Sequence, residues 1–227
     1  FRFAVTPPAE FNVSPDAHNN QLFMAHVGIT TPVTHYSFQR YARGFDAGSV
    51  ARTGVVSRPF SAWLDDWIMQ STGAGWLPLE VRARQDDVFF HRQLQSDQPL
   101  VLQGIDGFSQ KHPDGGGSYY YSQPFLKANG QLTLGGQKIA VFGNAWLDRE
   151  WGSQFLQKDQ SGWDWFSLHL DSGEKLMLFQ LRNRQENEMG NNYLHGALID
   201  PTGGKTLLNP EQIQLKVLET SLVGERS

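Results

Sequence analysis

Gly162-Trp-Asp-Trp-Phe-Ser-Leu-His-Leu-Asp-Ser-Gly-Glu-Lys-Leu-Met-Leu-Phe-Gln-Leu-Arg182 is the stretch that decides the fold class. Two runs rich in aromatic and aliphatic residues flank a Ser-Gly pair, the pattern of an antiparallel hairpin closed by a short turn. A two-residue turn at Ser172-Gly173 sets Asp171 opposite Glu174. Trp163 then falls opposite Arg182, Trp165 opposite Gln180 and Ser167 opposite Leu178. Side chains alternate across a strand, so Trp163, Trp165, His169, Gln180 and Arg182 share one face. The other face carries Phe166, Leu168, Leu170, Met177, Phe179 and Leu181, interrupted only by Asp164, and reads as core. The mixed face is either a polar pocket or a surface covered by another domain. Asp164 on the apolar side needs a donor or a raised pKa, because an unpaired buried carboxylate is costly.

Just upstream lies Ala145-Trp-Leu-Asp-Arg-Glu-Trp-Gly152. Alternation places Trp146, Asp148 and Glu150 on one face and Leu147, Arg149 and Trp151 on the other. Carboxylates two residues apart on a strand lie about 6–7 Å apart at their Cα atoms. Two readings fit them. Asp148 and Glu150 are a candidate general acid and base. The structural reading, favoured over it, has them accept hydrogen bonds from indole N–H groups, which seek partners when buried, and from loop amides.

Working outward, strand signals dominate: 1–5, 21–30, 34–43, 60–70, 79–85, 88–95, 119–128, 131–135, 138–149, 163–171, 174–183, 193–199 and 213–218. Asn129-Gly130 and Gly135-Gly136 read as further hairpin turns. Helical periodicity is confined to single turns at Pro210-Glu211-Gln212 and at 150–156. Many short antiparallel strands with regular turns indicate an all-β sandwich or barrel. Trp63-Leu64-Asp65-Asp66-Trp67 echoes the second-half tryptophan–acid pattern. It suggests two similar β-domains divided near the glycine-rich stretch Pro113–Gly117, hence 1–117 and 118–227.

Composition excludes several classes. Hydrophobic residues make up 39% and charged residues 19%, enough apolar side chain for a packed core. Net charge is −4 without a clustered basic face, so no nucleic-acid partner is expected. No apolar run approaches the roughly 20 residues of a membrane span. With no cysteine, disulfides, thiol catalysis and thiolate metal sites are ruled out. The histidines show neither HxH nor HExxH spacing, and no metal or other cofactor is expected. No Gly-x-Ser-x-Gly elbow supports a serine nucleophile. His26 shares a strand face with Leu22 and Met24 and is a pocket candidate. Tyr120, facing away from Tyr119 and Tyr121, is another. The chain opens on Phe1-Arg2-Phe3-Ala4-Val5 as if a strand were already under way, so a preceding segment is expected.

Leu22–His26, Trp63–Trp67, Val101–Gly104, Ser118–Pro124, Ala145–Trp151, Gly162–Leu168 and Leu176–Arg182 occur in an order that resembles the AttH/CrtC family of lipocalin-like proteins. That family includes predicted secreted hydrolases and carotenoid 1,2-hydratases (hydroxyneurosporene synthases), and fungal Diels–Alderases are similar at a distance. The resemblance implies two lipocalin-like antiparallel β-barrels packed together, with further strands before residue 1 and after 227. It implies an envelope setting, periplasmic or secreted, and a cavity for an apolar or amphipathic, isoprenoid- or lipid-like molecule. His26, Trp63, Trp67, Tyr120, Trp146, Trp163, Trp165, His169, Gln180 and Arg182 are the candidate ligand-binding residues. An alternative is hydration of an isoprenoid C=C bond, with Asp148, Glu150 or Asp164 protonating the carbon and indole faces stabilising the cation. A further alternative is an accessory protein of an envelope ABC transporter. Fold alone does not choose among them.

Overall fold

The computed structural model describes residues 2–6, 22–43, 52–152, 156–184 and 193–220. The chain divides into two compact units. The first comprises Phe1–Asp97 and Phe125–Ala145; the second comprises Gln98–Pro124 and Trp146–Ser227. The units interleave in sequence, whereas a single division at 117/118 was expected, and Pro113–Gly117 lies inside the second unit. All sheets are antiparallel, and among the described residues they trace open paths with no closed barrel. No helix among those residues is long and apolar enough to cross a membrane.

In the first unit, β1 (Arg2–Thr6), β2 (Leu22–Thr30) and β3 (His35–Arg43) form one sheet. A meander follows: β4 (Thr53–Ser57), β5 (Phe60–Leu64), β6 (Trp67–Ser71), β7 (Leu79–Gln85) and β8 (Val88–Gln95). The run 60–70 is therefore two strands, not one. Asp65 takes a positive φ of 54° and turns the chain at Asp65-Asp66, where the Arg52 guanidinium binds its carboxylate at 2.9 Å. The core gathers Phe23, Ala25, Val27, Leu64, Trp67 and Ala83. Trp67 is fully buried; its indole donates to the Arg84 carbonyl at 2.8 Å, and the Arg40 guanidinium covers its ring at 4.4 Å.

The second unit contains β9 (Val101–Leu102), β10 (Phe108–Gln110), β13 (Gln160–His169), β14 (Lys175–Asn183), β15 (Tyr193–Ile199) and β16 (Lys205–Leu208). The last four form a sheet in the order β13-β14-β15-β16. Two long strands, β11 (Gly117–Leu134) and β12 (Gln137–Trp151), contribute residues to both units. The turn expected at Asn129-Gly130 is absent, because β11 runs straight through it and pairs with β8. A Cβ on Gly130 would meet the His91 carbonyl oxygen at 2.1 Å, so glycine there serves a close backbone approach. The glycines at 135 and 136 do turn the chain, both at positive φ. Pro210–Gln212 forms the expected single turn, as a 3-10 helix, while 213–218 is not a strand. Of the other helical signal, 150–156, Glu150 and Trp151 are strand, and residues 153–155 lie outside the described residues.

The hairpin at 162–182 forms, but one residue out of the expected register. Trp163 pairs with Leu181, Trp165 with Phe179 and His169 with Lys175. The cause is the turn. Gly173 N–H donates to the Leu170 carbonyl at 2.9 Å with Gly173 at φ 94°. That is a three-residue Asp171-Ser172-Gly173 loop with a left-handed glycine, not a two-residue turn. A slip of one residue exchanges the faces of one strand relative to the other. Met177, Phe179 and Leu181 therefore share a face with Trp163, Trp165 and His169. Asp164, Gln180 and Arg182 occupy the opposite face, where Arg182 donates to Asp164 and Gln180 donates to it at 3.4 Å.

Replacing Trp67 by Ala should lower the stability of the first unit by about 3–5 kcal/mol, the usual cost of emptying a large core site. Trp67→Phe should cost less, since only the indole hydrogen bond and part of the ring are lost. Urea unfolding of both variants checks the order; equal midpoints for wild type and Trp67→Ala would contradict this placement.

Candidate functional site

The inner face of the β13–β16 sheet carries Met177, Phe179, Leu181 and Ala197 as buried core, and Tyr120, Trp146, Tyr193 and Leu207 pack against them. Tyr120 comes from β11, whose alternation sends Ser118, Tyr120 and Ser122 inward and Tyr119 and Tyr121 outward. The pattern Ser-Tyr-Tyr-Tyr-Ser thus supplies three hydroxyls to one side. Trp146, Asp148 and Glu150 of β12 meet them, sharing a face as alternation requires.

Asp148 is the centre of this arrangement. Its Oδ1 accepts from the Tyr120 hydroxyl at 2.9 Å, the Ser122 hydroxyl at 2.5 Å and the Trp146 indole at 2.9 Å. Two of these donors are themselves hydrogen-bonded: the Trp165 indole donates to Tyr120 Oη at 3.2 Å, and the Gln103 amide donates to Ser122 Oγ at 2.8 Å. Every donor in the cluster points toward one oxygen. Asp148 Oδ2 accepts no hydrogen bond among the described residues. Burial pushes the Asp148 carboxyl above the usual aspartate value; the hydrogen bonds from Ser122, Trp146 and Tyr120 oppose that, and the Glu150 charge adds to it. Burial, then the adjacent Asp148 charge, pushes the Tyr120 phenol up, so tyrosine stays a neutral donor.

Glu150 is set differently. It accepts from Ser118 and lies 3.0 Å from Lys111 Nζ. Lys111 also sits 4.0 Å above the Phe179 ring and 5.3 Å from the Tyr120 ring centroid, within cation–π range. Gln160, buried, fixes the Lys111 segment by donating to its carbonyl at 2.9 Å. His195, beside Phe179, is held neutral: burial lowers its pKa, and the Lys111 and Lys205 charges lower it further.

The other expected site residues scatter. Trp163 and Trp165 are 54% and 42% exposed and lie on the face that carries the core. Trp163 makes no hydrogen bond among the described residues. His169 lies edge-on to Trp146 at 5.8 Å. Asp164, Gln180 and Arg182 form a separate polar group on the opposite face and do not join Asp148. In the first unit, Trp67 is core, and Trp63 lies over Gly54, where a Cβ would meet its ring at 2.5 Å. His26 is half-buried, edge-on to Tyr41 at 6.0 Å, and its buried Nε2 has no partner among the described residues. Ser118, Ser122, Gln103 and Lys111 were not foreseen. The two serines were detectable, since they alternate with Tyr120. Gln103 and Lys111 come from turns and loops and carry no periodic signal. Among the described residues no group of three His, Asp or Glu side chains could hold a metal ion.

Asp148→Ala should destabilise the second unit by about 3 kcal/mol, since buried donors are left unpaired. Asp148→Asn keeps an acceptor oxygen at Oδ1 and should cost far less. In the folded protein the raised Asp148 pKa means the proton is held more tightly than in the unfolded chain. Its contribution to stability is therefore full below the ordinary aspartate value near 3.8 and is lost as pH rises through the raised folded value. The Asn variant should lack that part of the slope; an unchanged difference between the two proteins from pH 4 to 8 would refute it.

Against known proteins, a family model described as AttH-like matches residues 1–227. The structure is similar to that of an AttH protein from Nitrosomonas europaea, with a TM-score of 0.73 and 35% identity, covering 92% of this chain and 63% of that one. It is also similar to kievitone hydratase from Nectria haematococca, with a TM-score of 0.60 and 17% identity, covering 90% of this chain and 62% of that one. The second likeness is one of fold. The chain thus spans less than two thirds of the length of either protein. No curated protein sequence matches it. The chain belongs to the AttH-like family.

Proposed function

We propose that the second unit binds an apolar or amphipathic small molecule against the indoles of Trp163 and Trp165, with the polar end of that molecule near Asp148. The observation that carries this reading is the state of Trp163: a tryptophan more than half exposed, without a hydrogen bond among the described residues, on the same strand face as Trp165 and the Met177–Phe179–Leu181 core. Tryptophan has a large apolar body and one polar handle, and such a residue placed at the rim of a core is suited to gripping a ligand. Trp165 differs in having its N–H committed to Tyr120, which orients its ring.

A second reading adds chemistry. Asp148 is a half-buried carboxyl whose pKa is pushed up by burial and whose Oδ2 accepts no hydrogen bond among the described residues, features suited to a general acid. Hydration of a C=C bond would transfer its proton to one carbon, let water add to the other, and return a proton from that water to the carboxylate. That one fold neighbour is a hydratase is consistent with this reading.

Calorimetric titration with farnesol and geranylgeraniol tests the binding. Trp163→Ala should weaken a saturable association by about 3–10-fold, corresponding to 0.5–1.5 kcal/mol of aromatic contact. Absence of saturable binding to the wild-type protein would overturn the main reading. Under the second reading Asp148→Asn abolishes formation of the tertiary or secondary alcohol product while binding persists.

A further inference from the structure

Gln103 is an unusual buried side chain of the second unit. It is completely buried, and its amide nitrogen donates to Ser122 Oγ at 2.8 Å, yet its buried Oε1 has no hydrogen-bond partner among the described residues. A buried acceptor left unsatisfied costs free energy, and a native group of this kind calls for an explanation other than packing. Ser122 Oγ donates its single proton to Asp148 Oδ1 at 2.5 Å and accepts from the Gln103 NH2 group at 2.8 Å.

The chain of donors therefore has a fixed direction. Gln103 to Ser122, Trp165 to Tyr120, and then Ser122, Tyr120 and Trp146 all point at Asp148 Oδ1. Three donors occupy that oxygen, so with the hydroxyls in this direction a proton on the carboxyl sits on Oδ2. We propose that Gln103 is a positioning residue: by donating to Ser122 it directs the Ser122 hydroxyl onto Oδ1, so that Asp148 carries its proton on Oδ2 and offers it to a neutral acceptor on the bound molecule. That acceptor is an uncharged oxygen, such as an alcohol, ether or carbonyl, or an alkene π bond, and not an ammonium group. The hydrogen bonds set which oxygen is left for a proton; its delivery to a ligand rests on the binding reading above.

The titratable groups around Asp148 are few. Glu150 lies on its own strand and Tyr120 on β11, while Lys111 is bonded to Glu150 and sits over the Tyr120 ring. His195 lies behind Phe179, and His169 is edge-on to Trp146. Lys111 is engaged by Glu150, and among the described residues no cation is bonded to Asp148.

The test uses the 227-residue protein with 13C-labelled aspartate side chains, assigned through Asp148→Asn. Wild-type Asp148 should titrate above the ordinary aspartate range. Ser122→Ala removes a donor that favours the carboxylate and should raise the midpoint by about one pH unit. Gln103→Leu leaves Ser122 a weaker donor and should raise it by a smaller amount. Gln103→Leu also removes an unsatisfied acceptor, so thermal stability should be unchanged or higher. A Gln103→Leu protein that loses stability as after an ordinary core lesion, with the Asp148 midpoint unmoved, would overturn the positioning role. Wild-type Asp148 ionised throughout would overturn the proton placement. If the midpoints move as stated but geranylgeraniol does not bind, the binding reading fails while the positioning role stands. With binding established, affinity for geranylgeraniol should fall as pH rises through the Asp148 midpoint, and geranylgeranylamine should not bind more tightly than the alcohol at any pH; tighter binding of the amine would overturn the assignment of a neutral acceptor.

Discussion

Convergence of three hydrogen-bond donors on one oxygen of Asp148 is the constraint on which the second unit depends. A carboxyl largely withdrawn from water must be neutralised or paired. Among the described residues no cation is bonded to Asp148, and neutral donors share the task. The donors come from two strands, and the groups behind them from elsewhere. Tyr120 and Ser122 lie on β11 and Trp146 on β12, with Trp165 on β13 and Gln103 after β9 behind them. One acceptor thereby fixes two hydroxyls directly, and two further side chains through them. The same oxygen anchors the indole at 146 directly and that at 165 through Tyr120, whereas Asp164 serves Arg182 and Gln180 instead.

Glu150 shows how two carboxylates on one strand face acquire different characters. Its neighbours are Ser118 and the Lys111 cation, and it is more open to solvent than Asp148. Asp148 has neutral donors and burial instead. Lys111 belongs to the Glu150 side of this pair. It is pinned through its carbonyl by Gln160 and lies over Phe179, so it balances Glu150 without bonding to Asp148.

Much of this was legible in the sequence, and what was not has identifiable physical causes. Period-two alternation correctly grouped Trp146 with Asp148 and Glu150, and set Tyr120 apart from its tyrosine neighbours, because parity within a strand survives any change of partner. Parity between strands does not. Reading Ser172-Gly173 as a two-residue turn moved the hairpin by one position and set Arg182 and Gln180 beside the tryptophans. The left-handed Gly173 closes a three-residue loop, and the pair joins Asp164 on the far face. Asn129-Gly130 failed for a related reason: the dipeptide favours a turn, but the glycine is needed where the β8 backbone comes close. Conversely, Asp106-Gly107 is a strong turn signal that went unread; both residues take positive φ and close the Ile105–Phe108 bridge.

The least legible residues are those through which Asp148 is controlled. Ser122 is separated from Asp148 by 26 positions and Gln103 from Ser122 by 19, distances over which no periodicity carries information. Polarity alone points the wrong way, since glutamine is usually solvent-exposed. What distinguishes Gln103 is visible only once folded: complete burial with one end of its amide bonded and the other not. A side chain retained purely for packing would be replaceable by leucine or methionine at no loss of hydrogen bonds. The amide's single bond instead determines the direction of the Ser122 hydroxyl, and that direction determines which oxygen of Asp148 is left for a proton.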